Sequence, residues 1–346
     1  MKLAGPEIGD EIGDPIQHGG NLSRARALFP HAPEPWVDLS TGISPYSYPH
    51  SPLPGNAFTR LPDVASAERL KALAAAAYGA PSAAHVAAGP GTQILLPMVA
   101  DLVARKGRAA VLSPTYAEHA RAARLSGLEV TETDDLDRLA EADLAVIVNP
   151  NNPTGRIVPR ADLLALAAIM RAKGGLLVVD EAFMDVSEAS SVTDAVDAGG
   201  LVVLRSFGKF YGMAGLRLGF VISHPQTIAR IENRLGPWAV SGPALHVANE
   251  ALGDTKWQNA MRLKLKEEAA RLDALLGAAG IPVVGGTSLF RFIRDPRAQA
   301  VFRHLGEQGI LVRRFEERPD DLRIGLPGKS DWPRLEEALK TIEPGK

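Results

Sequence analysis

The 346-residue chain contains no cysteine. That excludes a disulfide framework, a thiolate metal site and a cysteine nucleophile. Nor is there a surplus of positive charge: 38 Lys and Arg against 40 Asp and Glu leave a formal net charge of -2. Without a basic field, neither a nucleic acid nor an anionic membrane surface is expected as a partner. No apolar run approaches the roughly 18 residues a membrane span needs. The opening MKLAGPEIGDEIGDPIQHGG lacks the apolar core of a secretory signal. Together these absences make a cytoplasmic location the expectation. No internal repeat or low-complexity tract stands out beyond alanine enrichment.

What the chain does have is an ordinary globular composition, 46% hydrophobic and 23% charged. Its length suggests one large and one smaller domain. Residues 44–63, SPYSYPHSPLPGNAFTRLPD, carry five prolines and read as an extended arm rather than a helix. From Val64 the pattern alternates. Helices are expected over 64–79, 91–106, 116–126 and 160–173, and strands over the short apolar runs 109–113, 144–149, 176–180, 201–207 and 218–222. Continuous apolar runs separated by helices indicate a mixed, mostly parallel sheet covered on both faces. Near Pro237 the texture changes to a smaller α+β unit. It comprises a long helix over 255–279, a strand at 289–294, a helix near 297–308, strands at 310–313 and 322–325, and a final helix near 331–342. The expected division is an amino-terminal arm over 1–48 packed on the small domain, a large domain over 49–236 and a small domain over 237–346.

In an open α/β sheet the site lies beyond the carboxyl ends of the strands. Four such ends, SPTY, NPNNPTG, DEAF and SFGK, are polar or aromatic. Lys209, in RSFGKFYGMAGLRLGF, stands where the chain otherwise looks buried. A desolvated lysine has a lowered pKa and becomes a competent amine nucleophile. Asp180 ends a buried strand, where a lone carboxylate is costly and a cationic partner is wanted. Alternation places Glu181, its neighbour, on the other face. The segment AGPGTQ (88–93) opens a helix, so the amides after Gly91, at Thr92 and Gln93, form an anion site.

NPNNPTG, VVDEAF and SFGKFYGMAGLRLGF, in this order and spacing, resemble the fold-type I pyridoxal-phosphate (PLP) enzymes of the aspartate aminotransferase superfamily. The resemblance spans nearly the whole chain. It implies that superfamily's α/β fold, PLP as cofactor, and a homodimer in which the proline-rich arm crosses between subunits. On this resemblance Lys209 bonds covalently to the cofactor, and Asp180 keeps the pyridinium nitrogen protonated. Asn152 hydrogen-bonds the phenolic oxygen and Tyr116 stacks on the ring. Gly91, Thr92, Gln93, Ser206 and Arg217 hold the phosphate. Three positions depart from the superfamily's pattern. Phe183 replaces a tyrosine that donates to the phenolic oxygen, and Gly208 removes a hydroxyl beside the lysine. Leu61 stands where many relatives place a tyrosine that reaches the partner subunit's cofactor phosphate.

Three further segments, HGGN (18–21), WVDLSTGISPYSYP (36–49) and GPWAVSGPA (236–244), resemble a branch of the superfamily that decarboxylates phosphothreonine in cobalamin biosynthesis. A neighbouring branch transaminates histidinol phosphate. The resemblance implies a small phosphorylated amino acid as substrate, bound by His18, Gly19, Asn21, Gly42, Ile43, Asn152, Arg313 and Arg323. The planar fork of arginine suits carboxylate and phosphate alike. By alternation Arg314 points away from Arg313. The core motifs serve both reactions, so the outcome depends on which bond at Cα the anion anchors hold perpendicular to the ring. Decarboxylation is expected and transamination is the alternative. A ligand-sensing regulator is disfavoured, because no basic recognition helix precedes the arm.

Overall fold

The computed structural model describes residues 16, 18–104 and 106–342. The expected arm residues 1–15 and 17 lie outside it. The amino-terminal segment forms α1 (Leu22–Leu28) and β1 (Val37–Asp38). The large unit then runs α2 (Val64–Tyr78), β2 (Val86–Gly89), α3 (Thr92–Ala100), β3 (Arg108–Leu112), α4 (Glu118–Leu125), β4 (Glu129–Thr133) and β5 (Leu144–Val148). It continues with α5 (Arg160–Ala172), β6 (Leu176–Asp180), β7 (Leu201–Ser206), α6 (Phe207–Phe210), β8 (Gly219–Ser223), α7 (Pro225–Leu235) and α8 (Gly242–Ala251). The small unit holds α9 (Thr255–Ala278), β9 (Val283–Thr287), β10 (Phe290–Arg294), α10 (Ala298–Glu307), β11 (Ile310–Leu311), β12 (Arg313–Phe315), β13 (Arg318–Gly325) and α11 (Trp332–Lys340). None of the described helices is long and apolar enough to cross a membrane.

The central sheet has seven strands in the order β2-β8-β7-β6-β5-β3-β4. Strands β3 to β7 are parallel, while β8 runs antiparallel to both its neighbours. This is the mixed, mostly parallel sheet expected from the apolar runs. The sequence did not reveal the two outermost strands. VAAG of β2 is short and built of small residues, and EVTET of β4 is polar because an edge strand faces water on its outer side.

Alternation sorts the central strands between two separate cores. Leu176 and Val178 of β6, with Val202 and Leu204 of β7, pack in the core shared with α3, α4 and α7. Leu177 and Val179, with Leu201 and Val203, pack in the other core, toward α2, α5 and α9. Because the side-chain period is two, Asp180 and Ser206 fall on the α3/α4 side, whereas Glu181 and Arg205 fall on the opposite one.

The small unit is an antiparallel sheet, β12-β13-β10-β9, with three helices. The amino-terminal segment is seated on it. Strand β1 pairs in parallel with β11, Phe29 packs 5.7 Å from Phe302, and Arg334 donates to the carbonyl of Pro33 at 2.7 Å. Residues 242–251, grouped with the small unit by the change of texture at Pro237, instead pack as α8 on α2. There Asn249 donates to the Ser66 carbonyl at 3.2 Å. A change in local composition marks a chain segment but does not say which neighbour will cover its apolar side.

Candidate active site

At the carboxyl ends of β5, β6 and β7, facing the start of α3, lies a cavity of about 150 Å³. Gly91, Thr92, Gln93, Tyr116, Asn152, Asp180, Ser206, Lys209 and Arg217 all line it. Every residue expected at the cofactor is thus brought to one place.

Lys209 projects from α6, whose backbone is tied to the arm by the Ser44 N–H donating to the Lys209 carbonyl at 2.9 Å. Burial lowers its pKa to about 8; the positive charge of Arg323 adds to the shift, Asp180 opposes it, and Arg217 contributes in the lowering sense. Below pH 8 the side chain is a protonated, unreactive ammonium, and above it a neutral nucleophile. Labelling of PLP-free protein with trinitrobenzenesulfonate is therefore expected to show one fast-reacting amine with a midpoint near pH 8, absent from Lys209→Ala. A midpoint near that of the remaining lysines would contradict this.

Asp180 is held at both oxygens. His119 Nε2 lies 2.8 Å from Oδ2, and the Ala182 N–H donates to Oδ1 at 3.0 Å. His119 was not singled out from the sequence. It sits one helical turn after Tyr116 on the face of α4 turned to the sheet, and that spacing is the one sequence signal it left. Glu181, also fully buried, belongs to the other face as alternation requires. It accepts from Arg205 at 2.9 Å, Ser191 at 2.6 Å and the Val192 N–H at 3.0 Å.

The three asparagines of NPNNPTG have different partners. Asn149 accepts from the Val158 N–H at 2.8 Å. Asn151 accepts from the Thr115 hydroxyl at 2.6 Å and donates to the Pro114 carbonyl at 2.9 Å. Both brace the loop. Asn152 lines the cavity, where its Oδ1 accepts from Arg323.

On the phosphate side, Gly91 has φ +89°, and a Cβ there would sit 2.6 Å from a terminal nitrogen of Arg217. Only glycine lets that guanidinium and the first amides of α3 converge. The Tyr116 hydroxyl, which burial raises to about 12, stays protonated and donates to Gln93 Oε1 at 2.8 Å. Gln93 Nε2 in turn donates to Glu118 at 2.6 Å.

The departures from the superfamily pattern have physical causes. Phe183 packs edge-on against Phe290 at 5.1 Å, with Lys209 Nζ 5.8 Å from its ring centre. Nothing at that position can donate a hydrogen bond. A Cβ on Gly208 would lie 2.7 Å from Ala214 Cα, so a hydroxyl side chain does not fit there. Leu61 is 67% exposed on the outer surface.

Four of the eight expected substrate residues gather at a second opening, of about 620 Å³, between the amino-terminal segment and the small unit, while Asn152 lines the first cavity and Gly42, Ile43 and Arg323 line neither. His18, Gly19, Asn21 and Arg313 line the second opening, with Ser40. His18 Nε2 bonds Glu118 at 2.8 Å, and Asn21 Oδ1 caps α1 by accepting from the Arg24 N–H at 2.9 Å. A Cβ on Gly42 would lie 3.2 Å from the Phe290 ring and 3.5 Å from that of Phe183, and Ile43, the next residue, is half-buried. Arg314 stacks on Phe302 and pairs with Glu316 at 3.2 Å, yet still borders this opening.

Arg323 joins the two openings. It is buried, donates to Asn152 Oδ1 and to the Ser40 carbonyl, and has an Nε with no partner. Burial, then the charge of Arg313, lowers its pKa to about 10. Arg313 and Arg323 stand directly opposite each other across β12 and β13. Like charges in that register are destabilising, and an anion between them offsets the cost. Ser40 Oγ accepts from the Gly20 N–H at 2.7 Å, so its own proton goes to Asp38 at 2.5 Å. Asp38, Ser40, Glu118 and His119 were all missed by sequence reasoning. Charged and hydroxylated residues are surface residues by default, and only packing showed otherwise.

The residues present fit a PLP group. They offer a desolvated amine, a carboxylate fixed by a histidine, and a glycine-shaped cradle between a guanidinium and a helix start. A large α/β unit bearing such a lysine cavity defines the class: a fold-type I PLP enzyme. The Aminotransferase class I and II family model matches residues 49–342. A threonine-phosphate decarboxylase of Pseudomonas aeruginosa is 42% identical over 328 residues, covering 94% of this chain and 97% of the relative. One from Sinorhizobium sp. is 43% identical over 333 residues, covering 95% and 99%. A crystal structure of histidinol-phosphate aminotransferase from Sinorhizobium meliloti, in complex with pyridoxal-5'-phosphate, superposes with a TM-score of 0.82 at 20% identity, covering 99% of this chain and 100% of that one. The chain belongs to the class I and II aminotransferase family.

Proposed function

We propose that this chain is a PLP-dependent carboxy-lyase that converts L-threonine O-3-phosphate to (R)-1-amino-2-propanol O-2-phosphate, a step of cobalamin biosynthesis. The decarboxylases of Pseudomonas aeruginosa and Sinorhizobium support it, being similar over nearly the full length of the chain. The observation that carries it is the facing pair Arg313 and Arg323, which suits a substrate with two anionic groups.

PLP, when bound, supplies a cationic ring that draws the electron pair released at the amino acid's Cα. Lys209 Nζ secures the cofactor and afterwards is the proton donor at Cα. Asp180, oriented by His119, supplies the negative charge beside the ring nitrogen. Asn152 and Tyr116, both lining the cavity, would help hold the cofactor ring. Arg323, bonded to Asn152 of the cavity wall, takes the carboxylate, and Arg313, on the second opening, takes the phosphate. The bond that breaks joins Cα to the carboxylate, and carbon dioxide leaves.

The working unit in this reading is a homodimer. Phe58 and Leu61 of the proline-rich arm, with Val64 and Trp238, are all more than half exposed and supply apolar surface for the second subunit. The enzyme acts in the cytoplasm, where charge retains its phosphorylated substrate.

Two parallel assays of the PLP-loaded protein test the reaction. One holds L-threonine O-3-phosphate and is read for carbon dioxide. The other holds histidinol phosphate with 2-oxoglutarate and is read for glutamate. Carbon dioxide without glutamate is expected. Glutamate without carbon dioxide would make the chain an aminotransferase, with the C–H bond as the one that breaks.

A further inference from the structure

Glu118 is an unusual residue to find buried: only 4% of its surface is exposed, and it lies in the first turn of α4. Its carboxylate takes donors from three directions. His18 Nε2 approaches Oε1 at 2.8 Å, while Gln93 Nε2 and Arg121 approach Oε2 at 2.6 and 3.1 Å. Burial alone would raise its pKa, but the hydrogen bonds from His18, Arg121 and Gln93 together hold it below the usual carboxylate value. Each donor belongs to a different part of the molecule. His18 comes from the amino-terminal segment beside the second opening. Gln93 sits in the first turn of α3 and accepts the Tyr116 hydroxyl at 2.8 Å. The His18 and Tyr116 rings also pack, with centroids 5.8 Å apart.

We propose that Glu118 is a positioning residue, whose buried carboxylate holds the amino-terminal segment at His18 and the cofactor wall at Gln93 and Tyr116 in one arrangement. The assignment of the openings to substrate phosphate and cofactor rests on the function proposed above; the hydrogen-bond node itself does not. Both carboxylate oxygens act as acceptors, one toward the segment and one toward the wall. A glutamine in this place offers an NH2 that only donates, so the contact to His18 survives only if the imidazole turns to the tautomer whose Nε2 accepts, and the carboxylate's charge is lost in either case. Coupling through a shared node is reciprocal: whatever orders the wall also seats the segment.

Trypsin reports on the segment without any substrate. Arg24 and Arg26 lie in α1, and cleavage there requires local unfolding. E118Q is expected to be cleaved at these sites about tenfold faster than wild type, the factor one hydrogen bond to a buried charge supports. His18→Ala should accelerate cleavage similarly, and the double variant should be no faster than E118Q alone. PLP should slow cleavage of wild type but not of E118Q. In the loaded enzyme, KM for L-threonine O-3-phosphate should rise about tenfold in E118Q, with kcat within about threefold. Wild-type cleavage rates in E118Q, additive effects in the double variant, equal protection by PLP, or a fall in kcat at constant KM would each overturn the proposal. Should E118Q fail to fold, H18A decides alone: His18 is half exposed at its side chain, and an unchanged cleavage rate would sink the idea. If wild type releases no carbon dioxide, the decarboxylase reading falls, while the cleavage results still test Glu118.

Discussion

Replacing Lys209 with alanine is expected to lower carbon dioxide release from L-threonine O-3-phosphate by at least about 10,000-fold. The side chain has two duties, securing the cofactor and returning a proton to Cα, and no neighbour can take over either. Among the described residues lining the cavity, Lys209 is the only amine, and burial gives it a pKa of about 8 that suits proton transfer near neutral pH. The substitution leaves the backbone tie to Ser44 in place, so the fold should persist. Borohydride reduction of the PLP-loaded wild type, followed by peptide mass analysis, should locate the added mass on the peptide carrying Lys209; the variant should show none. A residual rate within about a hundredfold of wild type would mean that another group does the proton transfer.

Asp180→Asn should lower kcat by about 100- to 1,000-fold, the range found when one preorganised electrostatic partner of the reacting centre is removed. The shape is kept, and an asparagine oxygen can still bond His119, so thermal stability should barely change. Glu181→Gln makes the contrasting case. Glu181 faces the opposite core and pairs with buried Arg205, which also bonds Asp185 at 2.8 Å. Removing one partner of a buried ion pair costs about 3–5 kcal/mol, so this variant should melt several degrees lower. Its kcat should stay near wild type in whatever fraction is folded. If the two adjacent carboxylates exchanged these behaviours, the assignment of faces would be wrong.

That pair of expectations shows how far sequence reaches. In LLVVDE and LVVLRS the period of two assigns Asp180 and Ser206 to one face and Glu181 and Arg205 to the other. A strand buried on both sides leaves no freedom in that assignment. The helix opened by PGTQ and the lysine of SFGK were equally legible, because local geometry and desolvation act over a few residues. The edge strands β2 and β4 were not, since small or polar edge segments carry no strong periodic signal.

The residues around the cofactor site are a different matter. His119 and Glu118 sit side by side on α4, and nothing in SPTYAEH says that both are buried. That follows from packing Ala120 and Ala123 of the same helix into the sheet's second core, which draws the neighbouring polar side chains inward. Asn152 was separable from Asn149 and Asn151 only when each side chain's partner was seen. Arg313 and Arg323 were identified as anion-binding arginines, but their opposition was not. It depends on the register of β12 on β13, including an irregularity between Arg314 and Phe315. The sequence by itself determined which chemical groups the protein carries and which face of each strand they occupy, because those follow from composition and local periodicity. Which groups meet was decided by tertiary structure alone, because contacts between segments a hundred or more residues apart, such as His18 with Glu118, depend on packing and register that no short stretch encodes.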